Sequence, residues 1–364
     1  MTRSIAFTPA RFGAIDVANR FVMAPMSRNR ATPEGLATPL MAEYYAQRAT
    51  AGLIVTEGVQ PSAVGQGFMN TPGLHSEAQI TAWRQVTEAV HAKGGKIVVQ
   101  LMHAGRIGHP SLYPDRHASI APSAIAAQDQ AFTPEGPKDY PTPRAMSEAD
   151  INQAIAEHAQ AARNAMEAGF DGIEIHAGNG FLIHQFMAEN CNQRTDGYGR
   201  DIKGRVRFAL EVIDACVQAI GARRVGVRIS PCNPFNDIIE GNTPELYKAL
   251  LERIPEDLAY LHIMEANNRP QTEAIRAMWR GPLILNPHAD ATAWPATPSI
   301  LKTLFDTDLA DGVCFGALFL ANPDLVSRIR LSAPLNSVDE TTFYGGGARG
   351  YTDYPTLEQC ASIA

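Results

Sequence analysis

Eight apolar, β-branched runs recur along the chain, each followed by a stretch of helical periodicity, and this alternation limits the possible folds more than any other feature. The runs are Phe21–Pro25, Leu53–Gly58, Lys96–His103, Gly172–His176, Val225–Ser230, Tyr260–Glu265, Pro282–Asn286 and Gly312–Phe319. Most are near-continuous in hydrophobic residues, as expected for parallel strands buried on both faces. Between them lie helical patterns at Leu40–Ala51, Thr81–Lys93, Glu148–Ala168, Val206–Ile220, Pro244–Ile254, Thr272–Trp279, Ser299–Phe305 and Pro323–Leu331. Ser147-Glu-Ala-Asp150 reads as a capping start for the longest. Strict alternation predicts a parallel sheet, and eight repeats predict closure into a single-domain (β/α)8 TIM barrel spanning residues 1–364. An open doubly wound sheet is the alternative arrangement of the same units.

Composition narrows the function classes. The 364 residues are 45% apolar, enough for a sizeable core, and the formal net charge is −7. No basic face invites nucleic acid or anionic lipid. No apolar run approaches the ~20 residues that span a bilayer, and the N-terminus lacks the apolar core of a signal peptide. Five cysteines, at 191, 216, 232, 314 and 360, show no metal-binding spacing. An odd, scattered set suits small packing residues and reduced thiols in a cytoplasm.

Two segments fall outside the repeat. Residues 104–146, rich in Pro, Ala and Asp, form a long insertion after the third strand, on the side where barrel enzymes build their sites; it reads as a lid. Residues 333–364 form a polar, Gly-rich tail, Phe343-Tyr-Gly-Gly-Gly-Ala-Arg-Gly-Tyr351-Thr-Asp-Tyr354 at its centre. Its aromatics among glycines suggest a segment that packs back on the barrel.

The fourth run ends in His176-Ala-Gly-Asn179-Gly-Phe181. A His and an Asn three residues apart on a turn, at the carboxyl end of a barrel strand, can aim two hydrogen-bond donors at one oxygen, such as an enone carbonyl. Taken alone, the histidine is equally a helix cap or a satisfied interior residue.

Here the chain resembles a known family. Met23-Ala-Pro-Met-Ser-Arg28, Gln100-Leu-Met-His-Ala-Gly-Arg106, Glu174-Ile-His-Ala-Gly-Asn179, Asn192-Gln-Arg-Thr-Asp-Gly-Tyr-Gly199, Val227-Arg-Ile-Ser230, Phe319-Leu-Ala-Asn-Pro-Asp324 and Gly350-Tyr-Thr-Asp-Tyr-Pro355 are similar to motifs of the old yellow enzyme family, in order along essentially the whole chain. The resemblance implies a (β/α)8 barrel with noncovalent FMN, reduced by NADPH or NADH, that passes hydride to the β-carbon of an activated alkene. It implies that His176 and Asn179 hold the substrate oxygen, where charge develops. It further implies that Arg228 lies at the N1–C2=O edge of the flavin, Gln100 at the pyrimidine ring, and Pro25, Met26 and Ser27 under the ring with the hydroxyl on O4. Gly58 matches the small residue on the second strand, and Tyr351 the tail tyrosine bordering the substrate pocket. Met102 stands where some relatives carry tryptophan, which implies a roomier pocket. Gln66, Gly67 and Phe68 fall in the second loop without assigned chemistry.

Three departures stand against these matches. The family's proton-donating tyrosine is Phe181, which has no proton to give; His184 is a candidate replacement. The phosphate-binding glycines after strand seven are replaced by Asn286-Pro287-His288-Ala289. The Gly-Arg that ends strand eight is Gly316-Ala317, so a fork-shaped cation has become a methyl group. His288 or Arg349 would have to compensate.

Two readings follow. One is an FMN-dependent oxidoreductase acting on an α,β-unsaturated carbonyl, with altered proton delivery. The other is a divergent barrel with weak or no FMN binding, using His176 and Asn179 for a non-redox isomerisation or cyclisation. A hybrid binds flavin and returns the hydride, so that a double bond isomerises. The substrate, the preferred nicotinamide and whether the chain forms a homo-oligomer are left open by the sequence.

Overall fold

The computed structural model describes residues 5–290 and 296–361; the ends of the expected domain, 1–4 and 362–364, lie outside them. Eight strands close a parallel barrel in sequence order. They are β1 (Phe21–Met23), β2 (Leu53–Val59), β3 (Ile97–Leu101), β4 (Gly172–Ala177), β5 (Val225–Ile229), β6 (Tyr260–Met264), β7 (Leu283–Asn286) and β8 (Gly312–Phe315). Eight helices alternate with them: α1 (Pro39–Gln47), α2 (Glu77–His91), α3 (Glu148–Glu167), α4 (Ile202–Ile220), α5 (Thr243–Leu251), α6 (Arg269–Met278), α7 (Ile300–Asp306) and α8 (Leu325–Leu331). This is the TIM barrel expected, and the open sheet is excluded by closure of β8 on β1. Ser147 and Asp150 form the capping box that starts α3. The eighth run was read too long. β8 stops at Phe315, Gly316 turns the chain with ψ −87°, and Ala317–Ala321 is a helical turn, so Phe319 is not on the strand. An unbroken apolar stretch hides such a boundary.

Side chains two apart on a strand share a face, and the inward face changes character along the barrel. Toward the strand starts, Val22, Leu53, Val98, Tyr260, Ile284 and Cys314 pack into one apolar cluster. The hairpin Ala10–Phe12/Ile15–Val17 adds Phe12, Ile15 and Val17 to it and closes that end. Two residues further on, the register sets Gln100 beside Glu174 and Arg228 beside His262. The barrel therefore carries an apolar bottom and a polar floor near its carboxyl end.

The insertion contains a hairpin, Gln130–Thr133 with Gly136–Asp139, and a short parallel pairing of Ile120–Ala121 with Arg144–Ala145. Its Ala127, Ala131 and Tyr140 share an apolar cluster with Met102 and Phe181. The tail crosses the barrel mouth near β1. Arg28 donates from Nε to the carbonyl of Phe343 (2.9 Å) and from Nη2 to that of Gly350 (2.9 Å). Arg30 reaches the Gly347 carbonyl at 3.0 Å, and Arg48 those of Leu320 and Tyr351 at 2.6 and 3.1 Å. These charge-assisted bonds satisfy carbonyls that a glycine-rich segment cannot pair within itself.

Candidate active site

The carboxyl ends of the strands frame a trench made of two adjoining cavities, about 530 and 260 Å³ in volume. Both are bordered by Pro25, Met26, Ser27, Asn179, Arg228 and Tyr344. The larger one adds His176, Gln100, Gly58 and Phe181; the smaller adds Asn286, His288, Gly316 and Ala317. Of the residues given a catalytic, cofactor-binding or compensating role in the sequence, all but Tyr351, Arg349 and His184 meet along this one trench or its floor.

Strand register explains the gathering. β4 and β5 pair His176 with Arg228, and β2 and β3 pair Gly58 with Gln100 across a register shift between Val55 and Gly58. A Cβ on Gly58 would lie 2.6 Å from the Met102 sulfur, so only glycine lets Met102 close over this strand end.

The floor is a connected polar set. Gln100 Nε2 donates to Glu174 Oε1 at 2.8 Å, which leaves the Gln100 amide oxygen as an acceptor. Glu174 Oε2 lies 2.8 Å from His262 Nδ1. Burial alone would raise the Glu174 pKa, but His262, Arg228 and the Gln100 amide outweigh it and hold the carboxyl below its usual range. Burial and the Arg228 cation keep His262 low despite Glu174, so a neutral ring donates its Nδ1–H to a carboxylate. Arg228 Nη2 reaches Asn286 Oδ1 at 3.2 Å, and Asn286 Nδ2 donates to the Cys314 carbonyl at 3.1 Å. Arg228 Nε is buried without a partner, as is His176 Nδ1. Burial, Arg228, His184 and His262 hold the His176 pKa well below its ordinary value, so the ring is neutral.

Asn179 has φ +51°, a left-handed conformation that asparagine tolerates. Its backbone N–H donates to Ser230 Oγ (2.7 Å) and its carbonyl accepts from Asn236 Nδ2 (2.7 Å). Its amide orientation follows from a chain of obligatory roles. The Phe235 N–H donates to Asn233 Oδ1 (3.1 Å), so Asn233 Nδ2 donates to Asn179 Oδ1 (2.9 Å), and Asn179 Nδ2 is left for the trench.

Three expectations need correction. Tyr351 does not border the trench. It is buried beneath the tail, stacked on Tyr44 at 3.9 Å with Arg30 over its ring at 4.3 Å. Tyr344, passed over in the sequence, is the tail tyrosine at both cavities and is 72% exposed. His184 is not an acid at the site. It is buried, accepts at Nδ1 from the Gly180 N–H (3.0 Å), and therefore commits its Nε2–H to Glu240 (2.7 Å). Arg349 is exposed and pairs with Asp339 at 3.4 Å, away from the trench. The sequence also missed an aromatic and thioether rim: Phe68, Met69, Phe132 and Phe235 line the larger cavity, and Phe132, in the insertion's hairpin, is 70% exposed. Phe181 packs edge-on against His176 at 5.1 Å and Phe68 at 6.2 Å.

An isoalloxazine ring fits the larger part of this trench. It is flat, needs donors along one edge, and would meet the unpartnered Arg228 Nε and the Gln100 oxygen over the Pro25–Ser27 turn. The phosphate end fits less well: among the described residues of the smaller cavity the cations are Arg228 and the tail-bound Arg28.

Comparisons with known proteins agree with this geometry. The sequence profile of the NADH:flavin oxidoreductase / NADH oxidase family matches residues 6–336. The chanoclavine-I aldehyde reductase of Penicillium roqueforti is 40% identical over 360 residues, covering 96% of this chain and 95% of that protein. The 12-oxophytodienoate reductase 7 of Oryza sativa subsp. japonica is 39% identical, covering 97% and 95%. Among solved structures, morphinone reductase superposes with a TM-score of 0.90 at 38% identity over 98% of this chain and 97% of that one. The old yellow enzyme homologue from Zymomonas mobilis gives 0.90 at 36%, covering 97% and 99%. These matches do not favour the flavin-free, non-redox reading. The chain belongs to the NADH:flavin oxidoreductase / NADH oxidase family, and within it to the old yellow enzymes, the FMN- and nicotinamide-dependent ene-reductases.

Proposed function

We propose that this ene-reductase binds the carbonyl oxygen of an α,β-unsaturated substrate between His176 and Asn179, beneath an apolar roof, and that water rather than residue 181 completes the reduction. The observation that carries the reading is that His176, Asn179, Arg228 and Gln100 line one cavity, with His176 Nδ1 and Arg228 Nε both buried and unpartnered. The Arg228 Nε–H is a donor that finds no acceptor within the protein, as expected where a ligand supplies one.

FMN, when bound, supplies the hydride that it takes from NADH or NADPH. The protein's residues do the rest. Neutral His176 and the Asn179 Nδ2 donate to the substrate oxygen as negative charge accumulates there. Arg228, fixed by Asn286, places a cation at the ring edge, and Glu174 with His262 balances it from below. Phe68, Phe132, Met102, Phe181 and Phe235 cover the apolar body of the substrate and thin out water. The insertion acts as the lid through Phe132. Phe181 leaves Cα protonation to solvent entering beside the exposed Tyr344. Slow protonation also favours a second outcome on the same residues: hydride added at Cβ and then returned after rotation about the Cα–Cβ bond, which isomerises the double bond between E and Z with no net reduction. The five unpaired cysteines support a reducing, cytoplasmic setting, and no helix among the described residues is long and apolar enough to cross a membrane.

The test is to identify flavin in the purified protein, reduce it anaerobically with NADH and with NADPH, and follow reoxidation by cyclohexenone. Reoxidation with formation of the saturated ketone supports the reading. A reduced flavin that no enone reoxidises or isomerises sinks it.

A further inference from the structure

We infer that this chain holds its flavin by the ring and ribityl chain and not by the terminal phosphate, so that riboflavin binds about as tightly as FMN. The inference rests on the flavin reading above and concerns the opposite end of the same trench.

Beyond the shared wall, the smaller cavity is bounded mainly by Met264, Ala296, Ala317, Leu318, Leu320 and Phe343. A phosphate dianion leaving water for such a surface loses hydration that only charged or N–H donors can replace. The charged side chains within reach are committed elsewhere. Arg28 spends Nε, Nη1 and Nη2 on the carbonyls of Phe343, Thr342 and Gly350 and on the Tyr44 hydroxyl. Arg228 stands at the shared wall, bonded to Asn286 and beside His176 on the neighbouring strand. After β7, Pro287 has no N–H to offer. The next N–H, of His288, donates to Glu265 Oε2 at 3.0 Å, and that carboxylate is already clamped by Arg269 at 2.5 Å. This loop thus presents an amide to the protein's own carboxylate. Burial, with Arg228 adding to it and Glu265 opposing it, lowers the His288 pKa and leaves that ring uncharged. Residues 291–295, outside the described set, contain no Lys, Arg or His. The ring end, by contrast, keeps the unpaired Arg228 Nε–H.

The experiment is a fluorescence-quenching titration of the full-length protein, stripped of flavin, with FMN and with riboflavin. The expected dissociation constants agree within about threefold, because a single lost charge-assisted phosphate contact removes a roughly ten- to hundred-fold preference. FMN binding should also be flat between about 0.02 and 0.5 M salt, where a phosphate–cation contact would be screened. Ala317→Arg should tighten FMN roughly ten- to hundred-fold and leave riboflavin unmoved. A wild-type preference for FMN above about tenfold overturns the inference, as does an Ala317→Arg protein that folds yet leaves the FMN-to-riboflavin ratio unchanged. If the variant does not fold, the wild-type ratio and its salt dependence decide alone. Binding of neither flavin would overturn the flavin reading itself, a distinct result.

Discussion

Asn233 Nδ2 donates to Asn179 Oδ1 across 2.9 Å, and this one bond decides which end of the Asn179 amide faces the trench. Asn233→Asp replaces the donor with an acceptor and turns the Asn179 oxygen toward the substrate carbonyl. Asn233→Ala merely frees the amide to rotate. Reoxidation by enone should therefore slow more for the aspartate than for the alanine variant, by about a hundred-fold against ten-fold, since one lost oxyanion donor costs ~10²–10³ in rate. Flavin reduction by nicotinamide should change little in either. Stopped-flow measurement of both half-reactions checks this; equal losses in the two variants would contradict the orientation argument.

Phe181 lines the cavity with a ring that cannot donate. Phe181→Tyr should raise net alkene reduction, toward the ~10²–10⁴-fold that general acid catalysis contributes, with the reductive half-reaction nearly unchanged. Product analysis should show less isomerised and more saturated product. Turnover of the wild type that is already fast and does not respond to the hydroxyl would mean that another acid serves the site.

His176→Ala acts earlier in the reaction. Loss of a neutral donor beside the developing charge should weaken enone binding and slow hydride transfer itself by ~10²-fold or more. The reoxidation rate at saturating enone is the quantity to read; a change confined to affinity would assign His176 to binding alone.

Burial pushes the pKa of His103 down to about 3, with His158 adding to the shift. The unfolded chain takes up a proton near pH 6.5 that the folded state refuses, so stability is present above pH 6.5 and is lost as pH falls. The slope is at most about 1.4 kcal/mol per pH unit for this residue. Glu57, raised to about 7 by burial, acts with the opposite sign between about pH 4.5 and 7. Comparing His103→Leu with wild type isolates the histidine: denaturant midpoints between pH 7 and 5 should fall less steeply in the variant. Parallel curves would place the acid sensitivity elsewhere.

Arg28→Leu removes the donors that bind the Phe343 and Gly350 carbonyls. Stability should fall by ~3 kcal/mol, given ~1.5–3 kcal/mol for each bond to a charged group. Amide exchange should rise first in residues 342–350. Uniform acceleration across the barrel would show instead that the arginine supports the whole domain.

The barrel was readable because buried parallel strands are apolar on both faces, and the floor because register puts His176 beside Arg228 and Glu174 beside Gln100 once strand order is known. What escaped was set by contacts remote in sequence. Which tail aromatic meets the trench, Tyr344 or Tyr351, depends on arginines at 28, 30 and 48, and nothing within the tail distinguishes them. His184 looked available until Gly180 and Glu240 were seen to occupy both its nitrogens. Asn233 carries no local signal at all, since its role exists only through Asn179.

The tail also fixes an order of assembly. Phe343 and Tyr344, which wall the trench, follow all eight strands in the chain, while the arginines that receive them stand near its beginning. During synthesis the barrel strands are complete while one side of the trench is still open, and the cofactor groove is finished only when the segment around Phe343 and Tyr344 docks against Arg28 and Arg30. Flavin capture in this sense waits on the docking of that segment, and a protein cut short before Tyr344 would lack one wall of the groove.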